Sequence, residues 1–430
     1  MAIATQPPTA LASPSDARSV NTPARYRLFS LICLAAIAIS GVAAAIAAFI
    51  LTTSADRVED NSAPVLIAVQ DIRASLAEAD SAATSVFLSG GQGDPQQQRL
   101  YEQAIDRAGQ QIEEVARLIG DDEAAHDSLK RVTSQLTRYS GLVEASRLAN
   151  TEGIEGAGET LSEALGLTRD VMDPELASVT QRARDRLDQD EAGGVDLALI
   201  ATVFAALAVL ILIVLQLRLS RATHRLLNPP LVLATLLMVI VTAWMLVSIV
   251  DRNTESDAAN DGGYDSIAIT SDIQTTAYRF NTEQSLALIS GSDIDTIRRD
   301  ELIAELEAGD FALLNRALDK ADSSREQAAA TEMQIRWQRY RAVSDEILKL
   351  ANADDIAGAK QLSQGSGGSA FVGFNTAVES VLLDNREQFL DGMSEARNTL
   401  DWLQLAMIAL PIVAALLALW GYQLRINEYR

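Results

Sequence analysis

Soft metal ligands are nearly missing from this chain of 430 residues, which holds one cysteine and two histidines. Cys33 sits inside an apolar run, so no intrachain disulfide is available, and His126 and His224, almost 100 residues apart, cannot assemble a Cys/His zinc site. Equally absent are a GxxxxGK[ST] loop, a GxGxxG turn between strand and helix, HExxH, GxSxG and CxxC, which removes the chemistries those motifs serve. The chain is read as a non-enzyme with no cofactor, no catalytic residue and no metal site. The glycine-rich stretch at 365–368 lacks a following lysine and reads as a flexible loop between amphipathic helices. Asp121, Asp122 and Glu123 read as helix-opening acids favoured by the dipole. Basic clusters are wanting too: with 58 acidic against 35 basic residues, the chain lacks the electrostatic footprint of a nucleic-acid binder.

The acid excess is unevenly spread. Residues 52–193 carry 27 acids and 13 bases, residues 251–401 carry 28 and 14, and the remainder is slightly positive. A bilayer-spanning helix takes about 20 mostly apolar residues, and four stretches qualify: 28–51, 195–217, 230–250 and 402–424. The apolar core of the first is longer than that of a cleaved secretory signal. Positive charge on the short flanks sets the expected orientation. Arg18, Arg25 and Arg27 precede the first span, Arg218, Arg221 and Arg225 lie without an acid in RLSRATHRLLNPP, and Arg425 and Arg430 close the chain. The expectation is a multi-pass plasma-membrane protein with both termini cytoplasmic. Its parts would be a disordered tail (1–27), an extracytoplasmic helical bundle (52–194), a basic cytoplasmic loop (218–229), a second bundle (251–401) and a short tail (425–430).

Small residues recur at four-residue spacing in two spans: Ser40, Ala44 and Ala48, and Ala198, Thr202 and Ala206. Such stripes permit close helix packing, and an Ala-rich composition also yields them by itself. Pro411 is expected to kink the fourth span. Gly193 and Gly194, where the first bundle meets the second span, either soften that join or form a plain interfacial turn.

The second acidic region repeats the first. DIRASLAEADSAATSVFLSGG starts at Asp71 and DIQTTAYRFNTEQSLALISGS at Asp272, an offset of 201. Asp71-Ile72 meets Asp272-Ile273, Asp80 meets Asn281, and Leu88-Ser89-Gly90 meets Ile289-Ser290-Gly291. Further on, Arg138-Tyr139 meets Arg339-Tyr340 and, after one inserted residue, Leu148-Ala149-Asn150 meets Leu350-Ala351-Asn352. Landmarks in this order predict a tandem duplication of span, external domain and span. Apolar residues alternate by four and three along Tyr101, Ile105, Ala108, Ile112, Val115 and Ile119, along Leu129, Val132, Leu136, Tyr139 and Val143, and along Met333, Trp337, Tyr340, Val343, Ile347 and Leu350. These are bundle seams. Turn signals at 89–95, 120–123, 150–159, 290–293 and 363–369 divide the regions. The fold class is all-α: four transmembrane helices carrying two duplicated four-helix bundles.

Among the duplicated landmarks, Ser89-Gly90 and Ser290-Gly291 fit helix C-terminal stops. Arg138, Tyr139, Arg339 and Tyr340 are the candidate ligand residues, because Arg is the usual carboxylate fork. The commoner arrangement is an Arg paired with an acid on a neighbouring helix and a Tyr filling the seam. Arg218, Arg221, His224 and Arg225 are the candidate contacts for a cytoplasmic partner, although positive-inside topology alone also explains the arginines. The cytoplasmic pieces are too short to bury a core, so any output must come from a separate protein.

Helical bundles on paired spans resemble the periplasmic sensor domains of bacterial chemoreceptors and sensor kinases. The whole arrangement, four spans with two acidic helical regions of similar size and a minimal cytoplasmic part, resembles the GlnX family of actinobacterial membrane proteins. The resemblance covers the full chain and rests on architecture and an Ala- and Arg-rich, Lys-poor style. It implies that the external part works with an amino-acid-binding lipoprotein for glutamate and aspartate. It further implies a signal to a soluble Ser/Thr protein kinase, protein kinase G, which controls nitrogen and carbon metabolism. It assigns no contact residue. Two other classes stay open: an accessory component of an amino-acid transporter, and an envelope scaffold. Against the transporter, Asp196 and Asp251 lie only at outer span ends, and intramembrane ionisable groups usually mark a transport path. Besides the lipid bilayer, a second copy of the chain in a homodimer is among the partners the sequence allows.

Overall fold

The computed structural model describes residues 22–57, 62–90, 95–223, 229–259, 264–290, 296–309 and 311–427. Every element among them is helical, and the chain divides into two compact units.

The first unit gathers the apolar stretches, drawn from 1–53, 193–252 and 398–430. Helices α1 (Thr22–Arg57), α6 (Asp173–Thr223), α7 (Pro229–Ala259) and α13 (Gly368–Asn427) contain the segments Leu28–Ile50, Leu199–Arg218, Pro229–Val247 and Gln404–Gly421. All four are long and apolar enough to cross a membrane. Cys33, Ile37, Leu212, Leu231, Met238 and Ala414 pack inward, while Leu31, Val203 and Leu416 face outward, as a hydrocarbon surround permits. The Ser40, Ala44 and Ala48 stripe is buried. On α6 the inward face is instead Ala201, Ala205 and Ala208, with Thr202 buried beside them and Ala206 exposed. Of the expected second stripe, Thr202 is thus buried and Ala206 is not; the Ala198 side chain lies outside the described residues. Gly41 is required where α1 meets α13, since a Cβ there would stand 2.8 Å from Pro411 Cβ. Pro411 sits inside α13 without ending it. Gln216 ties α6 to α7, donating to Leu231 O at 2.7 Å and Thr235 Oγ1 at 2.6 Å.

Residues 54–192 and 253–397 together form the second, polar unit. Helices α2 (Ala63–Leu88) and α8 (Asp265–Ser290) pack against each other. They tolerate burial on nearly every side because their faces are small: Ala68, Ser75, Ala79, Ala82 and Thr84 on one, Thr270, Ser271, Thr275, Ala277 and Ser285 on the other. Following α2 come α3 (Pro95–Leu118), α4 (Glu123–Thr151), α5 (Ala157–Leu167), the π-helical segment π1 (Thr168–Met172) and the start of α6. After α8 the order is α9 (Thr296–Glu307), α10 (Leu313–Asp319), α11 (Ser324–Asn352), α12 (Ile356–Leu362), π2 (Ser363–Gly367) and the start of α13.

Local chemistry sets these boundaries. Asp122 caps α4 by accepting from Ala125 N at 3.0 Å, as the acid run predicted. Ser323 accepts from Glu326 N at 3.1 Å while Glu326 accepts from Asp322 N at 2.9 Å, a reciprocal cap on α11. Gly90, with φ +86°, ends α2, and Asn150 Nδ2 donates to Phe87 O in its last turn at 2.7 Å. The matching Gly291 lies outside the described residues. The seams of α3, α4 and α11 are buried or half-buried as their periodicity requires.

One expected turn is not a turn. Residues 363–369, with glycines at 365, 367 and 368, read as a loop, yet α12, π2 and α13 follow one another without a break. A π turn absorbs an extra residue inside a helix. Gly367 fits the crowded inner side, where a Cβ would meet Ile347 Cδ1 and Leu362 O, both at 3.1 Å. Gly193 and Gly194 likewise lie within the helical run of α6, so no interfacial turn forms there.

Candidate functional site: a polar cavity between α2 and α8

A cavity of about 200 Å³ opens inside the polar unit, walled by α2, α5, π1, the first residue of α6, α8 and α9. Arg73 and Asp80 come from α2, Thr168 and Arg169 from π1, Asp173 from α6, and Arg279 and Thr282 from α8. Arg298, Glu301 and Glu305 of α9 complete the polar rim.

The guanidinium groups are held by carboxylates in a chain of ion pairs across the α2–α8 seam. Arg73 Nε reaches Asp173 Oδ1 at 2.6 Å and its Nη1 reaches Asp272 Oδ1 at 3.3 Å. Arg279 Nη2 takes the other oxygen of Asp173 at 3.0 Å. Glu283 receives Arg169 at 3.3 Å and Arg298 at 3.0 Å. Burial pushes the Asp173 carboxyl up, but Arg73 and Arg279 outweigh it and hold the group below the usual carboxylate range. Asp272, with burial dominant, is raised. Asp71 and Asp272, which align at the offset of 201, both form ion pairs, Asp71 with Arg386 of α13 and Asp272 with Arg73.

Asp80 is different. Its side chain is buried, and burial lifts its pKa to about 7 against the opposing pull of Thr168, Tyr139, Arg279 and Arg169. Thr168 Oγ1 lies 2.6 Å from Asp80 Oδ2 and 2.7 Å from Leu165 O. A hydroxyl has one proton to give. Both contacts become hydrogen bonds only when Asp80 is protonated and donates to Thr168, which agrees with the raised pKa. Asp80 Oδ1 has no hydrogen-bond partner, and neither has Thr282 Oγ1. The Tyr139 hydroxyl, which has no other partner, acts on Asp80 as a hydrogen-bond donor and pulls the carboxyl's pKa down.

None of the described residues singled out from the sequence lines this cavity. Tyr139 and Tyr340 are fully buried in their seams. Tyr340 donates to Asn281 Oδ1 at 2.8 Å, and Asn281 Nδ2 donates across to Ser81 Oγ at 2.7 Å. Arg138 is exposed and pairs with Glu163 at 2.7 Å; Arg339 is exposed. Arg218 is exposed near the end of α6, Arg221 lies on the same helix, and His224 and Arg225 lie outside the described residues. Arg73, Asp80, Arg279 and Thr282 were not singled out as a site. The available signal was the unlike pair at one register of the repeat, Asp80 against Asn281. Among the described residues no group of His, Cys, Asp and Glu is placed to hold a metal ion.

Residues 54–192 match the family model of an actinobacterial sensor domain. The matched segment supplies α2 to α5, π1 and the first part of α6, and so most of one side of the cavity. The match supports a sensing role for this region. No curated protein and no solved structure matches the chain significantly.

Proposed function

We propose that the chain is a transmembrane signal relay. In this reading the polar unit lies outside the cell, both termini lie in the cytoplasm, and the two acidic regions are tandem copies that meet along α2 and α8. The input is amino-acid availability, glutamate and aspartate foremost, delivered through a solute-binding lipoprotein. The output is altered engagement of a soluble Ser/Thr protein kinase by the basic segment that contains Arg218, Arg221, His224 and Arg225. The input and the partners rest on the resemblance to the GlnX family, and the sensor-domain match supports the sensing half.

One observation carries the mechanical half. Asp173 is the first residue of α6, it is clamped by Arg73 and Arg279 in the cavity wall, and the helix it begins contains the apolar segment Leu199–Arg218. Any rearrangement of that clamp acts on the end of a helix 51 residues long. Small slides or rotations of such a helix are an established signalling movement. Arg386, paired with Asp71, ties α13 to α2 in a comparable way.

The test is purification of the tagged protein from its native membrane in mild detergent, with and without glutamate or aspartate, followed by mass spectrometry of the co-purifying proteins. Recovery of a solute-binding lipoprotein and a Ser/Thr kinase in amounts that change with the amino acid is expected. Recovery of a permease and an ATPase in their place would move the chain to a transport role.

A further inference from the structure

Matching registers of the two halves carry side chains of one shape and different chemistry. At the offset of 201, Asp80 corresponds to Asn281 and Tyr139 to Tyr340. In the second half Asn281 accepts from the Tyr340 hydroxyl at 2.8 Å and gives its amide to a second hydroxyl, Ser81 Oγ, at 2.7 Å. In the first half Tyr139 acts on Asp80 as a donor, and the second hydroxyl, Thr168 Oγ1, lies 2.6 Å from Asp80 Oδ2. An aspartic acid reproduces the amide's pattern only while it holds its proton, because a carboxylate accepts and never donates. The Thr168 hydroxyl then keeps its own proton on Leu165 O at 2.7 Å, at the junction of α5 and π1. The surroundings differ as well. Ala77 corresponds to Tyr278, and Ala77 lines the open cavity whereas Tyr278 is buried edge-on against Phe371 at 5.2 Å. The ionisable half therefore has open space beside it in which side chains can rearrange.

We infer that Asp80 is a proton switch acting on the start of α6. As an acid it donates to Thr168 and leaves that hydroxyl on Leu165; as a carboxylate it takes the hydroxyl for itself and draws Arg169 and Arg279 away from Glu283 and Asp173. The first half of the change follows from proton counting: an ionised Asp80 has nothing to donate, so the Thr168 hydroxyl turns to it and releases Leu165 O. The second half follows from charge. Arg169 and Arg279 are near enough to act on Asp80 and already pair with Glu283 and Asp173, so a new carboxylate competes for both. Asp173 is the first residue of α6, which puts the competition on the clamp at that helix end, where Arg73 of α2 also holds Asp173. From α9, Arg298, Glu301 and Glu305 line the cavity beyond, with Arg298 on Glu283. Neither neighbouring tyrosine titrates with Asp80: burial pushes Tyr101 of α3 up to about 12 and holds Tyr139 of α4 well above its ordinary value. Burial of Asp80 itself brings its change to about pH 7. Proton activity is thus an input of its own, and the inference rests on the relay reading for its signalling consequence alone.

The test is infrared difference spectroscopy of the full chain in lipid nanodiscs between about pH 5.5 and about pH 8.5, joined with hydrogen exchange read by mass spectrometry and corrected for the intrinsic effect of pH. The carbonyl band of a protonated carboxyl is expected to vanish with a midpoint near pH 7, and Asp80→Asn, which installs the counterpart side chain, should remove that component of the difference. Over the same range the amides of residues 165–173 should lose protection by roughly threefold or more, whereas Asp80→Asn should keep the low-pH protection throughout. Thr168→Val should leave the carboxyl titrating and diminish the exchange response, which keeps the switch testable should Asp80→Asn fail to fold; circular dichroism establishes which variants are folded. A difference spectrum that Asp80→Asn does not alter, exchange at 165–173 indifferent to pH in the parent, or the same exchange response in the parent and in either folded variant would overturn the inference. None of these results bears on the relay, which stands or falls on its co-purifying partners.

Discussion

A single carboxyl gives the polar unit a pH dependence of known sign. The pKa of Asp80 is about 7 in the folded chain and about 3.9 when unfolded, so between these values the folded state binds more protons. Stability contributed by the protonated form is fully present below about pH 4 and is lost as pH rises through about 7. At about 1.4 kcal/mol for each tenfold change in proton affinity, the loss is at most roughly 4 kcal/mol. Asp80→Asn keeps the shape and removes the titration. Thermal unfolding of the purified chain at several pH values should therefore show the variant gaining on the parent from pH 4 to pH 7, with a constant advantage above pH 8. A parent-minus-variant difference that does not vary with pH would mean that Asp80 stays ionised. The sequence offered at this position only the unlike alignment of Asp80 with Asn281. The chemistry of Asp80 was not legible, because the burial that raises its pKa depends on π1 and α8 closing over it.

At the scale of elements, the helical seams were legible because each uses one face at a steady period: Leu129, Val132, Leu136, Tyr139 and Val143 are all buried. The π segments were not legible. Glycine and serine in 363–369 look like a loop to any rule based on local propensity, and only packing against Ile347 reveals why a residue without a side chain stands there. The two glycines of π2 make a paired prediction. Gly367→Ala should cost about 1–3 kcal/mol through overpacking, whereas Gly365→Ala, with nothing within 4 Å of the added Cβ, should be neutral or stabilise by up to about 1 kcal/mol; thermal or denaturant unfolding of the two variants separates the cases. Thr168–Met172 contains no glycine at all, so composition could not have marked it. A third expectation concerns the basic segment 218–225: if the proposed relay to a kinase holds, replacing Arg218, Arg221 and Arg225 together with Gln should reduce phosphorylation of that kinase's substrates while circular dichroism of the polar unit is unchanged. Unaltered phosphorylation, with topology verified by cysteine labelling, would remove this segment from the relay.

Across the polar unit as a whole, neither half owns its core. Tyr264 and Ala268 pack into the largely aliphatic core of the first half, and Ala77 packs into the core of the second. Residues 54–192 produced alone would expose the Ala-, Ser- and Thr-rich face that α8 covers. Such a fragment should self-associate through α2 in sedimentation experiments, becoming dimeric as concentration rises; a stable monomer of native helicity would show that α8 is dispensable. The four apolar stretches were readable from sequence alone, because hydropathy survives without tertiary information. The cavity was not readable, since it arises from the difference between Ala77 and Tyr278 across a seam that no local pattern reports.

The cores of the two halves also differ in kind. The first relies on small and aliphatic side chains, with Tyr101 and Tyr139 as its ring pair at 6.3 Å. The second gathers Phe280, Trp337, Tyr340 and Phe374, with centroids 5.3–5.7 Å apart along its contacts. Of the four tryptophans in the chain, at 244, 337, 402 and 420, only Trp337 belongs to the polar unit. It is fully buried and donates its indole N–H to Glu307 at 2.8 Å. Evolution has thus left an optical reporter in one half alone: with the other three indoles replaced by phenylalanine, the emission of Trp337 would register events in the half that holds it.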